Sequence, residues 1–246
     1  MDYSVLAKSY STLTYVKELR ELVAAFYNTD KYNDFNKFEL AKKINNDIFE
    51  HYNGEQILKY KLANEFRKKK YVAAFEVKVK SSRADFLVIN GDTKSFEIKS
   101  KIDTLNRLEK QTNDYGDVFE YNTVVIDIKH LDKVIATIPE YYGIWYYEGK
   151  SKVVVREALY SPNINSEEQL KMLTKKEIRT AFKTDELNKI LIEYSKEQIN
   201  QNFKDVLKKR YNQRWDFLTT NWNSILPIDI QFFFNKNIEP KLIYSN

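Results

Sequence analysis

Two carboxylates and an ammonium group in the middle of the chain, Asp85, Glu97 and Lys99, have the types and spacing to hold a divalent cation and activate water. They lie in the runs Arg83-Ala84-Asp85-Phe86-Leu87-Val88-Ile89 and Ser95-Phe96-Glu97-Ile98-Lys99, on either side of Asn90-Gly91-Asp92. A three-residue hairpin loop at Asn90–Asp92 makes the pairing symmetric about Gly91 and sets Asp85 opposite Glu97. Their Cβ atoms would then be about 5 Å apart on one face of the hairpin. Lys99 shares that face, and Phe86, Val88, Phe96 and Ile98 point to the other. Carboxylates that close repel each other, and a divalent cation removes the conflict. Mg²⁺ takes one or two carboxylates and keeps waters, leaving room for a substrate phosphate. It would acidify a bound water, which Lys99 could orient, or Lys99 could stabilise negative charge developing on the substrate. The main-chain carbonyl of Ile98 is a candidate further ligand.

Spacing alone is weak support. Glu-x-Lys occurs four times, at Glu76, Glu97, Glu148 and Glu239, in a chain that is 30% charged. The plain alternative is a surface salt bridge from Glu97 to Lys99 or Arg83. Large apolar neighbours argue instead for a hairpin that is largely buried. A second constellation follows: Asp103, Arg107, Gln111 and Tyr115 recur every four residues. On a helix from about Asp103 to Tyr115 they form one ridge, with Asp103 as N-cap and Arg107 placed for a phosphate. The rival view is a solvated helix face above Leu105 and Leu108.

Taken together, these residues resemble the PD-(D/E)XK, or restriction-endonuclease-like, nuclease superfamily. Asp85 and Glu97-Ile98-Lys99 match its signature, with Ala84 where proline is usual, a position that supplies no ligand. Gln111-Thr112-Asn113-Asp114-Tyr115 matches the Gln-x-x-x-Tyr motif of its RecB and phage lambda exonuclease branch. The string from Phe96 to Gln111, and Ile138-Pro139-Glu140-Tyr141-Tyr142-Gly143, are similar to a narrower set of bacterial and phage proteins of unassigned role. The resemblance spans roughly residues 55–160. It implies hydrolysis of DNA with Mg²⁺ or Mn²⁺ on a mixed α/β core flanked by helices. It also implies that Gln111 and Tyr115 lie beside the active site, contacting nucleic acid or positioning the lysine; Arg83, and Arg107 on the same ridge, are the further candidate substrate contacts. A glutamate from the helix before the first strand commonly completes such sites. Glu65 is the first choice, and Glu76, on the strand itself beside Lys78 and Lys80, is its close rival.

The elements that must position these groups read as helical, then α/β, then helical. Periodicity predicts helices over residues 4–28, over a second stretch that buries Phe38, Ala41, Ile44 and Ile48, and over 55–69. Strands are expected at 71–79, 84–90, 94–99 and 123–128, with a turn at Ser81-Ser82. A short helix at 131–138 and a hairpin pairing 142–147 with 152–157 around Glu148-Gly149-Lys150 come next. The organisation expected is a helical extension (1–54), a nuclease-like core (55–160) and a helical C-terminal region (161–246) ending in Phe232-Phe233-Phe234.

The absence of cysteine from the 246 residues excludes disulfides and thiolate metal sites, and suits a reducing cytoplasm. No apolar run reaches membrane-span length. A net charge of +5 is mild. Lys204, Lys208, Lys209, Arg210 and Arg214, interleaved with Tyr211 and Trp215, suit a phosphate-tracking helix, as does Arg67–Lys70. Neither His51 nor His130 has a partner at metal-ligand spacing. The expected partner is DNA, with a homo-oligomer or a protein partner left open. The alternative function is a catalytically silent nucleic-acid-binding or partner subunit on the same fold; a third is an interaction protein whose aromatic tail docks a partner.

Overall fold

The computed structural model describes residues 1–52, 54–67, 69, 71–149 and 151–245. Lys68 and Lys70 of the second basic patch, and Lys150 of the expected hairpin turn, lie outside them. Helices α1 (Tyr3–Ser9), α2 (Val16–Tyr27), α3 (Lys37–His51) and α4 (Glu55–Arg67) come first. Strands β1 (Val72–Val79), β2 (Ser82–Ile89) and β3 (Thr93–Lys99) follow, then α5 (Leu108–Gly116), β4 (Tyr121–Ile126) and α6 (Leu131–Thr137). A hairpin of β5 (Gly143–Glu148) and β6 (Ser151–Arg156) precedes α7 (Ser166–Lys171), α8 (Lys175–Phe182) and α9 (Leu187–Glu193). The chain ends with α10 (Lys196–Thr220), α11 (Ile230–Lys236) and α12 (Pro240–Tyr244). Where sequence texture suggests three successive stretches, the contacts give two compact units: Met1–Leu62 with Asp216–Asn246, and Ala63–Trp215.

The first unit brings the two ends of the chain together. Leu6, Leu19, Val23, Leu40, Ile44 and Ile48 form its core. The single helix expected over residues 4–28 is two. Tyr10 and Thr12 lie in the break, and their hydroxyls donate to Asp229 Oδ2 and Oδ1 at 2.9 and 2.8 Å. A buried polar anchor thus overrides the apolar period. In α3, Leu40 is buried while Phe38, expected inside, is 37% exposed. The aromatic run Phe232–Phe234 is part of α11, with Phe233 and Phe234 buried, so these rings serve the core and are not a free tail.

The second unit holds a six-stranded sheet in the order β1-β2-β3-β4-β5-β6. Pairs β1–β2, β2–β3 and β5–β6 are antiparallel, while β3–β4 and β4–β5 are parallel. The mixed sheet flanked by helices that the sequence leads one to expect is present. On one face Phe86 and Phe96 pack with Phe66 of α4, and Phe86 also meets Trp215 of α10. On the other, Val124, Ile126 and Ile144 bury Leu108 of α5 and Val134 of α6. Each such large side chain stabilises the fold by roughly 1.5–3 kcal/mol when fully buried.

The β2–β3 register runs Ile89↔Thr93 to Phe86↔Phe96, symmetric about Gly91 as the turn length requires. Gly91 has φ +105, a conformation open to glycine and costly for other residues. The β1–β2 turn is Lys80-Ser81, one residue earlier than expected, because Val79 pairs with Ser82. Lys80 pairs with Asp117, and Ser82 Oγ donates to Asp114 Oδ2 at 2.5 Å, which ties this turn to α5. No helix among the described residues is long and apolar enough to cross a membrane.

Candidate active site

The β2–β3 ladder stops at Phe86↔Phe96, and the next position in register sets Asp85 against Glu97. There a side chain replaces the main-chain pairing: Ile98 N donates to Asp85 Oδ2 at 2.6 Å. On the other flank, Phe75 pairs with Phe86 and Val77 with Ala84, so Glu76 lies across from Asp85 at a gap in the β1–β2 ladder. Glu76 has φ +55, left-handed in the middle of a strand. For a residue with a Cβ that costs about 1–2 kcal/mol, and such strain persists where surrounding structure imposes it. Carboxylate oxygens of Glu76 and Asp85 come within 4.8 Å of each other. Glu76, Asp85 and Glu97 therefore form one row across three adjacent strands. Arg83 Nη1 lies 3.7 Å from Glu76 Oε2, with its side chain largely exposed.

Glu97 is 2% exposed, and both its oxygens are engaged. Lys99 Nζ and Gln111 Nε2 each donate to Oε1 at 2.6 Å, and Tyr115 OH lies 2.7 Å from Oε2. Lys99 Nζ also donates to Gln111 Oε1 at 2.9 Å. The Tyr115 hydroxyl is equally 2.7 Å from the carbonyl of Arg83, and its one proton serves one of the two acceptors at a time. Burial raises the pKa of Glu97 above the usual carboxylate range, against the pull of Lys99, Tyr115 and Gln111. Burial and the adjacent Glu97 push the Tyr115 phenol up as well, so it acts as a donor and not as a phenolate.

Gln111 and Tyr115 reach Glu97 from α5, but the rest of the expected ridge does not. The helix begins at Leu108, not Asp103. Asp103 Oδ2 accepts from Ser100 N at 2.7 Å and Ser100 Oγ at 2.5 Å, so it closes the turn after β3 instead of capping α5. Arg107 occupies the N-cap position with an exposed side chain, and its carbonyl accepts from Gln111 N at 2.9 Å. Ile98 is buried, with its amide on Asp85.

Glu65 is not brought to this row. It bonds to Lys152 Nζ at 2.9 Å and Lys69 Nζ at 3.4 Å. Lys152 lies over Trp145, which packs against Phe96 on the aromatic face of the sheet, away from Glu97. Of the two glutamates weighed from sequence, Glu76 is the one beside Asp85. The basic stretch on α10 is also partly committed within its own unit. Lys204 pairs with the buried Glu120 at 3.0 Å, and Arg210 grips Glu177 through two bonds of 2.6 and 2.7 Å. Burial resists ionisation of Glu177, but bonds from Arg210 and the Thr174 amide outweigh it and hold the pKa to about 2. Lys208, Lys209 and Arg214 remain exposed.

Sequence reasoning passed over the residues that fix α5. Asp114 in α5 and Asp117 at its C-cap take Ser82 and Lys80, and Tyr142 OH donates to Thr112 O. Their spacing carries no signal without the β1–β2 turn that they meet. His130, given no chemistry from sequence, is buried with Nε2 3.0 Å from Ser100 O, bracing the segment after Lys99.

A solved protein of unknown function from Silicibacter pomeroyi aligns with 42% of this chain and 70% of its own, at 18% identity and a TM-score of 0.34, too distant to bear on the fold. Protein cII of Enterobacteria phage P4 is 28% identical over an alignment of 147 residues that covers 57% of this chain and 53% of that protein. The chain thus spans about half the length of this curated relative. The family model described as Bacteriophage P4 protein cII matches residues 43–233, which takes in every strand and the whole carboxylate row, and the chain belongs to that family.

Proposed function

We propose that the chain is a nuclease that hydrolyses phosphodiester bonds of DNA on a restriction-endonuclease-like core, using Asp85, Glu97 and Lys99 with Mg²⁺ or Mn²⁺. One observation carries this above all. Gln111 and Tyr115, picked out by a motif, converge with Lys99 on the same buried carboxylate, Glu97. A plain surface salt bridge would need none of that burial or cross-linking.

The donor set is hard oxygen, which suits Mg²⁺. Asp85 and Glu97 would hold the ion, with Glu76 the nearest further carboxylate. When bound, the ion supplies an acidified water and neutralises phosphate charge. Lys99 carries a cation into the buried site, where it stabilises negative charge growing on the phosphoryl oxygens. Gln111 holds the Lys99 ammonium in place through its carbonyl oxygen. Tyr115 can turn its proton to the Arg83 carbonyl at no change in distance, so Glu97 Oε2 is released without stranding a donor. The reaction consumes one water, whose oxygen bonds to phosphorus as the bond to the leaving oxygen breaks.

The saturation of both Glu97 oxygens favours a second reading, a catalytically silent subunit that binds nucleic acid on the same fold. One experiment separates them: linear, circular and single-stranded DNA with Mg²⁺, Mn²⁺ or chelator. Ion-dependent cleavage abolished by Asp85→Asn and by Lys99→Ala is the expected result. Cleavage that survives both changes overturns the mechanism, and tight binding without any cleavage supports the silent subunit.

A further inference from the structure

Two large apolar side chains stand in solvent just past the catalytic strand. Ile102 is 56% exposed and Ile128 is 52% exposed. They follow the carboxyl ends of β3 and β4, neighbouring parallel strands whose last paired residues are Lys99 and Ile126. The two segments are bound to each other: Asp127 N donates to Lys99 O at 2.8 Å, and His130 Nε2 lies 3.0 Å from Ser100 O. Each is also braced internally. Asp103 N donates to Ser100 O at 3.1 Å and its carboxylate takes the Ser100 amide and hydroxyl, while Asp127 Oδ1 accepts from Lys129 N at 3.1 Å. The isoleucines are therefore held out by built turns. Their exposure is set by these bonds and does not come from a loose loop.

Charge identifies what they meet. Each isoleucine has an exposed lysine beside it, Lys101 before Ile102 and Lys129 after Ile128, and exposed Arg107 lies on the same segment as Ile102. The acidic groups nearest in sequence, Asp103 and Asp127, are turned onto backbone donors. An apolar tip flanked by cations matches a polyanion with accessible base faces. It mismatches a fully paired duplex, whose outer surface is phosphate and whose bases are stacked away.

We propose that Ile102 and Ile128 form a base-contacting wedge at the edge of the nuclease site, so that the substrate taken is DNA with unpaired or separable bases beside the scissile bond. This rests on the nuclease reading above. Lys101, Lys129 and Arg107 hold the backbone, and the two isoleucines cover bases that have left the stack.

The test uses the full chain carrying Asp85→Asn, with Mg²⁺, and compares its affinity for a labelled forked DNA with that for the matched paired duplex. The expected result is about a tenfold preference for the fork, in line with the cost and gain of unstacking a base. Ile102→Ser with Ile128→Ser should remove that preference while leaving duplex affinity unchanged; both positions are exposed, so folding is spared. An equal fork-to-duplex ratio in both proteins overturns the wedge. If the wild-type chain cuts DNA yet shows that equal ratio, only the wedge falls; if no DNA form is bound or cut, the nuclease reading falls with it.

Discussion

Glu76 is the residue at which backbone strain and a crowded carboxylate coincide. Its left-handed φ and the approach to Asp85 are both unfavourable for a lone strand. Glu76→Gly relieves each, offset by glycine's larger entropy loss, so a net gain of about 1 kcal/mol in stability is expected without divalent ion. The same change should shrink the rise in Tm that Mg²⁺ gives the unaltered protein. Thermal unfolding with and without Mg²⁺ measures both; a variant that is less stable and responds fully to Mg²⁺ would remove Glu76 from the site. The Asp85–Glu97 pairing was legible in the sequence because a three-residue turn around Gly91 leaves one register. The strain at Glu76 was not, since no residue type in Phe75-Glu76-Val77 announces a positive φ. The choice between Glu65 and Glu76 likewise needed the position of Lys152, which is distant in sequence from both.

At the level of elements, the site depends on how α5 is pinned above the sheet. Asp114 and Asp117 tie it to the β1–β2 turn and Tyr142 ties it to β5's approach. Replacing both aspartates with alanine should cost about 1 kcal/mol per lost bond and loosen α5 specifically. Hydrogen exchange should then quicken at Gln111–Tyr115 while β2 and β3 stay protected; unchanged exchange in α5 would show that its apolar face alone holds it. The four-residue spacing of Gln111 and Tyr115 was readable as a helix face. Its start lies at Leu108 because Asp103, a good N-cap by type, has a stronger local claim in Ser100. The break between α1 and α2 was hidden for a similar reason: Tyr10 and Thr12 answer to Asp229, a residue 217 positions beyond Thr12.

Over the whole chain, Asp229 gathers Tyr10, Thr12 and Tyr244, so segments from both ends of the sequence meet at one buried carboxyl. Burial raises its pKa to about 6, although the three hydroxyl donors favour the charged form. A carboxyl with a raised folded pKa binds its proton more tightly when folded. Its contribution is complete below the unfolded value of 3.8 and is lost as pH rises through about 6. At roughly 1.36 kcal/mol per pH unit the loss is about 3 kcal/mol. Denaturant unfolding of the terminal unit between pH 4 and 7 should show this decline, and Asp229→Asn should flatten it. A decline that persists in the variant would assign it to another group. Nothing in the local sequence around Asp229 pointed to this, because the partners are joined only by the fold.

The turn at Gly91 has a consequence for length variation. Side chains alternate along β3, so Glu97 and Lys99 face α5 only while β3 keeps its register against β2 and β4. One residue added at Asn90–Asp92 leaves that pairing intact, because a four-residue loop closes the same hairpin with Asp85 still opposite Glu97. One added between Thr93 and Phe96 would instead turn Glu97 and Lys99 among Phe66, Phe86 and Trp145 unless a bulge took it up. Natural length variation should therefore fall at this tip and spare the strand residues between Thr93 and Lys99.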